Sequence, residues 1–397
     1  MKILTICSYA MLFILPLTGC NSGNNDNQDF PDLSTDQLTK SNELALSFQE
    51  MDKEFPTISM AAAEQPHVFY QGVKYALPEK FSLESHEFTS KYFIEETKTS
   101  GLLIIQDELI LYEQYFLGNT ATTRHISWSI AKSVVSALVG IAVDKGLIYI
   151  ENTATDYVPM LMGSGYENVR IKDLLQMSSG VSFDETYEYP NSDINRFNEV
   201  MNNGASYEAF AASLERENEP GTVNKYNSID TLVLGMVLKR ATNQSLSQFM
   251  EQNLWRKIGA EHSAYWITDN LGVELALGGL NATLRDYARF GLLYLNGGQF
   301  NGQQIISEQW VQDSLIADAP HLYPKASGAP GYGYQWWLPE SDQGEFLAIG
   351  IYGQFIYVNP EKKLIIVKNS ADDKFAENDE ARDALTLQFF RKIASQL

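Results

Sequence analysis

Ser127-Trp128-Ser129-Ile130-Ala131-Lys132-Ser133, followed by the apolar run 134–143, is the stretch on which the reading of this chain turns. If Ser127 caps a helix running to about residue 145, Ser129 and Lys132 lie three residues apart in its first turns and share a face. A serine hydroxyl is a weak nucleophile until a neighbour accepts its proton. A lysine does so only when burial or nearby charge brings its pKa toward neutrality. The apolar run supplies that burial. Amides of a first helical turn lack helical partners, so the Ser129 N–H is free to face a developing oxyanion. A four-residue pattern with two fixed positions arises by chance, but this S-x-x-K is the only one in the 397 residues, and it opens a buried-type helix.

Working outward, residues 101–116 read as two β-rich runs around Gln106-Asp107-Glu108, a hairpin signal. Near the other end, 354–358 and 364–368 flank a turn-like 359–363, and about 378–396 carries the apolar spacing of a helix packed on a sheet. Helices are expected at 39–51, 127–145, 171–177, 206–215, 228–241, 246–258 and 283–296. Strands gathered at both termini with helices between them predict an α+β fold. One antiparallel sheet is built from the two chain ends and flanked by helices, with a mostly helical inserted domain at roughly 150–280. Strands do not alternate with helices, which excludes a doubly wound parallel sheet.

The first 20 residues read as an export signal, with Lys2, an apolar run 3–17 and a small-residue stretch ending at Cys20. Leu17-Thr18-Gly19-Cys20 resembles the bacterial lipobox, which implies lipidation of Cys20 and a protein anchored in the cell envelope. Asn21 in place of Asp implies the outer membrane, facing the periplasm. Residues 21–65 are expected to be a tether and N-terminal extension, with the catalytic domain at 66–397. The formal net charge of −21 repels nucleic acid phosphates, so no nucleic acid partner is expected.

Further motifs in chain order carry a family resemblance. The chain resembles the class C β-lactamase-like serine hydrolases, a superfamily of penicillin-binding proteins, esterases and nylon-oligomer hydrolases. Ser129 to Lys132 match its S-x-x-K, and Tyr226-Asn227-Ser228 stand where β-lactamases have Tyr-x-Asn, ending in Ser as in the nylon-oligomer branch. The resemblance implies an acyl-enzyme on Ser129, with Lys132 as proton acceptor and Tyr226 as proton relay. A lysine cation nearby would favour the Tyr226 phenolate. The Lys-Thr-Gly signature is absent; the matching region is 347–355, with Ile351 the expected second oxyanion donor beside Ser129. Without that clamp for a substrate carboxylate, neutral esters or small amides are expected ahead of penicillin-type substrates. Tyr187, after Phe183-Asp184-Glu185-Thr186, and Ser228 are candidate substrate-binding residues. Gly278-Gly279 are read as scaffold, and Trp336-Trp337 as either a pocket wall or core.

Three rivals are weighed against this reading. A Ser-His-Asp hydrolase lacks G-x-S-x-G, although His125 lies four residues before Ser129. A metalloenzyme lacks H-E-x-x-H and a Cys pair, so neither metal nor cofactor is expected. A surface-tethered binding protein of the same fold, without turnover, has no chemical need for Ser129, Lys132 and Tyr226 together. Within the family, a β-lactamase or D-Ala-D-Ala peptidase is the alternative to an esterase or amidase.

Overall fold

The computed structural model describes residues 35–325, 329–377 and 379–397. The expected signal 1–20, the lipidation site Cys20 and the tether up to residue 34 lie outside the described residues.

The β-rich runs at the two chain ends join in one sheet, as their placement predicts. Its order among the described residues is Gly331–Tyr332, Trp337–Leu338, Phe346–Gly350, Gln354–Asn359, Leu364–Ser370, Thr99–Gln106, Leu109–Tyr115 and Tyr70–Gln71. All neighbours are antiparallel except the last pair. The hairpin at 101–116 closes through Asp107 and Glu108, both left-handed at φ 49° and 63°. Two such residues give the turn whose twist matches that of the strands it joins.

Leu364–Ser370 is buried along its whole length and Thr99–Gln106 along nearly all of it, because helices cover both faces of the sheet. Leu103, Ile105, Ile365 and Val367 pack in one cluster with helices Ile130–Asp144 and Leu284–Leu295. Leu102, Ile104, Leu364 and Ile366 point the other way and pack with Phe93, Phe389 and Phe390, the last two from the terminal helix Asp379–Ala394. The two clusters are the alternate faces that a period of two demands.

One expectation is corrected. The folded body begins well before residue 66: Thr35–Gln49 is a helix that buries Ala45 and Phe48, and Thr57–Met60 pairs residue for residue with Ala264–Ile267. The region 150–280 is mostly helical and also carries strand Ala264–Ile267, which pairs with Leu280–Ala282, itself paired with His125–Ile126 to complete a second, four-stranded sheet. These strands are two to four residues long, and Ala264–Ile267 is buried on both faces, so no alternation marks it in the sequence. Helices Asp193–Asn202 and Glu308–Ser314 were not expected either, and the one expected at 246–258 is an α-turn running into a π-turn at Glu251–Trp255.

Candidate active site

The helix that carries Lys132 spans Ile130–Asp144, and Ser129 rather than Ser127 stands at its cap position. The difference arises at Trp128, whose φ of +45° is left-handed and turns the chain sharply just before Ser129. Ser127 follows directly on the preceding strand His125–Ile126: its N–H reaches Leu280 O, and its hydroxyl donates to Trp128 O at 3.0 Å. Ser129 is thereby presented at a partly open corner, with no acceptor for its N–H among the described residues.

Lys132 is 1% exposed. Its Nζ donates to Ser129 Oγ at 2.7 Å and to Leu277 O at 2.8 Å. Burial lowers its pKa to about 8, opposed by the charge of Glu185. An amine so placed is neutral in part of the population near pH 7 and can take the Ser129 proton.

Tyr226 completes the cluster. Its ring lies 5.2 Å from Lys132 Nζ, the amine that bonds Ser129 Oγ, and stacks on Trp337 at 5.6 Å. Burial, reinforced by the charge of Glu185, pushes this phenol far above its ordinary pKa. The phenolate expected from the neighbouring lysine is therefore corrected. Tyr226 is a neutral phenol that can donate and accept a proton in turn.

The end of strand Phe346–Gly350 closes the other side. A Cβ on Gly350 would stand 2.6 Å from Ser127 O and 3.0 Å from Ser129 N, so only glycine permits this approach to the nucleophile turn. Ile351 follows at once and is partly buried, and no acceptor among the described residues takes its N–H. Gln354 pins the loop by donating to Ile351 O at 3.3 Å, Tyr352 O at 3.1 Å and Ser370 O at 2.7 Å.

Ser228 is 1% exposed and committed within the protein: its hydroxyl and N–H donate to Glu185 at 2.6 and 2.9 Å. The partner that the structure gives its side chain is this carboxylate. The Tyr187 hydroxyl also donates to Glu185, at 3.0 Å. Glu185 thus gathers both candidate substrate residues and sets the electrostatics of Lys132 and Tyr226. Sequence reasoning passed over it, although it sits two residues before Tyr187. Leu277 O was also missed, since a backbone carbonyl leaves no mark in residue type. Trp336 is fully buried against Phe290, Tyr294 and Phe346, while Trp337 faces Tyr226. His125 is buried, with its Nε2 3.2 Å from Ser100 Oγ and its Nδ1 3.0 Å from Ile126 O. Burial lowers its pKa to about 4.

Comparisons with known proteins give the chain a family and a fold. The β-lactamase family model matches residues 95–389. A 6-aminohexanoate-dimer hydrolase of Paenarthrobacter ureafaciens is 29% identical over 289 residues, covering 70% of this chain and 74% of its own. The structure of a protein described as a putative 6-aminohexanoate-dimer hydrolase from Bacillus anthracis superposes with a TM-score of 0.80 at 25% identity, covering 92% of this chain and 98% of that one. A family VIII carboxylesterase, at 17% identity and a TM-score of 0.56 over 71% of this chain and 89% of its own, shares the fold. With its Ser129–Lys132 pair at the head of a buried helix and a family match over most of its length, this chain belongs to the β-lactamase family of serine hydrolases.

Proposed function

We propose that the protein hydrolyses carboxylic esters or small amides through an acyl-enzyme on Ser129. The observation that carries this reading is the buried Lys132 amine, 2.7 Å from a partly open Ser129 hydroxyl and 5.2 Å from the Tyr226 ring. Neutral Lys132 takes the proton as Ser129 Oγ bonds to the substrate carbonyl carbon. The carbonyl oxygen becomes an oxyanion facing the Ser129 and Ile351 N–H groups. Tyr226 hands a proton to the leaving alcohol or amine and recovers one from the lysine side. Water then attacks the acyl carbon with the same groups acting in reverse, releasing the acid and restoring Ser129. Strand Phe346–Gly350 and the loop after it hold no Lys-Thr pair, which disfavours substrates anchored by a carboxylate. The relatives named as 6-aminohexanoate-dimer hydrolases support amides beside esters.

The test is a panel of p-nitrophenyl esters, small anilides, a chromogenic cephalosporin and D-Ala-D-Ala peptides on the soluble mature chain. Short-chain esters should exceed the cephalosporin by a wide margin, and the reverse order would assign the protein to the antibiotic-processing members. Tyr226→Phe should slow anilides by about 10²- to 10⁴-fold, because a departing nitrogen must be protonated, and activated esters much less. Equal rates for wild type and Tyr226→Phe on anilides would remove Tyr226 from the proton path.

The anchoring at Cys20 belongs to the same proposal, supported by the lipobox-like Leu17-Thr18-Gly19-Cys20. In a bacterial host the full chain should partition with membranes and incorporate labelled palmitate, while Cys20→Ser should do neither. Equal incorporation by both would dispose of the anchor and of the envelope location with it.

A further inference from the structure

Both expected oxyanion donors lie next to an aromatic residue in left-handed conformation. Trp128, at φ +45°, precedes Ser129, and Tyr352, at φ +60°, follows Ile351. One side chain touches both. The Phe48 ring, from the last turn of helix Thr35–Gln49, stands edge-on to Trp128 at 5.5 Å and to Tyr352 at 4.9 Å, and reaches His125 at 5.9 Å. Trp128 and Tyr352 also meet each other at 5.6 Å, so the three rings form a closed triangle in which Phe48 is only 3% exposed.

The helix that delivers Phe48 is held just after this contact. Gln49 Nε2 donates to Leu117 O at 3.1 Å, and shortly afterwards Thr57–Met60 enters the second sheet. From Tyr352 the aromatic contacts continue to Phe375 at 4.2 Å and on to Tyr187 at 5.3 Å, whose hydroxyl rests on Glu185. The N-terminal segment thus abuts the nucleophile turn and the residue after the second donor, and Tyr352 and Phe375 link it to the loop expected to wall the substrate.

We propose that Phe48 is a positioning residue for the oxyanion hole, fixing the peptide units of Ser129 and Ile351 through Trp128 and Tyr352. The inference rests on the serine hydrolase reading and assigns the segment before residue 66 a part in turnover. A left-handed non-glycine residue persists only where its surroundings over-determine it, and here the N-terminal helix supplies the one ring that touches both residues, beside their contact with each other and that of Tyr352 with Phe375. Donors aimed in advance stabilise the oxyanion more than the ground-state carbonyl, so loosening them lowers kcat and leaves KM nearly unchanged.

The test compares full-length wild type, Phe48→Ala and Phe48→Leu on p-nitrophenyl butyrate, with folded sites counted by titration with a fluorophosphonate. Per labelled site, Phe48→Ala should lose about tenfold or more in kcat, a fraction of what removal of a whole donor gives, with KM within about twofold. Inhibition by an alkyl boronic acid, which binds as a tetrahedral adduct, should weaken by the same factor as kcat. Phe48→Leu, which refills volume but lacks a ring to stand edge-on to Trp128 and Tyr352, should keep a smaller, measurable part of the kcat loss, about threefold, and keeps the test open where the alanine variant does not fold. Wild-type kcat per site in the folded variants, or a loss confined to KM, would overturn the proposal. A wild type that neither turns over nor takes the probe would overturn the hydrolase reading itself, an outcome distinct from an active wild type matched by its Phe48 variants.

Discussion

Replacing Ser129 by alanine should abolish covalent labelling by a fluorophosphonate and lower ester turnover by about 10⁶-fold, the scale seen when a covalent nucleophile is removed from a serine hydrolase. The loss should fall in kcat, since the change deletes a single oxygen atom from a partly open corner and leaves the surrounding pocket in place. Intact-mass analysis of the labelled wild type should show one adduct, and peptide mapping should place it on Ser129. Labelling that survives Ser129→Ala would mean another residue is the nucleophile, and the proton path drawn from Lys132 would lose its object. Stability should hardly change, because the Ser129 hydroxyl accepts from an amine that keeps its second acceptor, Leu277 O.

Lys132→Met should lower acylation by about 10³-fold, the middle of the range for a general base, and remove the pH dependence that lysine imposes. In the wild type Lys132 must be neutral to act, and its pKa is lowered to about 8 by burial. kcat/KM for an ester should therefore climb with pH through about 8 and level off above. The charge of Glu185 raises the pKa of Lys132, so Glu185→Gln should move this limb toward acid. A limb that stays put or moves toward alkali would separate Glu185 from Lys132. The same burial bears on stability, and the sign is fixed. A lysine whose folded pKa lies below its unfolded value of 10.5 binds fewer protons when folded, so its penalty is full below about pH 8 and fades as pH rises toward 10.5. That penalty is on the order of 3 kcal/mol at pH 7. Lys132→Met removes the charge while keeping the bulk, so denaturant unfolding should show an inactive variant more stable than wild type at pH 7. The advantage should shrink by pH 10. An unchanged or lower stability at pH 7 would show that the two hydrogen bonds of Lys132 outweigh its desolvation.

These effects follow from one arrangement, in which a group needed for chemistry is held where folding alone would not put it. The amine of Lys132 is buried for the sake of its pKa, and Trp128 is left-handed beside the nucleophile. Gly350 leaves out a side chain so that a strand end can reach the Ser129 amide. Glu185 ties the Tyr187–Ser228 side of the pocket to the same proton path, holding Ser228 by two hydrogen bonds and biasing both Lys132 and Tyr226.

What the sequence determined by itself is what local spacing encodes. Ser129 and Lys132 are three residues apart at the head of an apolar run, so any helix there brings them together, and their 2.7 Å contact follows. The hairpins at 101–116 and 354–368 and the terminal helix are written in periods of two and 3.6, and the gathering of strands at the two ends already implied a shared sheet. Tertiary structure decided the contacts between distant segments. The second acceptor of Lys132 is a carbonyl 145 residues away, and Ser228 meets Glu185 across 43 residues, pairings that no period announces. It also decided that Ser228 faces inward, that Tyr226 stays protonated, and that the chain is folded from Thr35 onward. The physical reason is common to all three. Desolvation, charge proximity and ring packing depend on distances in space, and the sequence specifies those distances only through the whole fold.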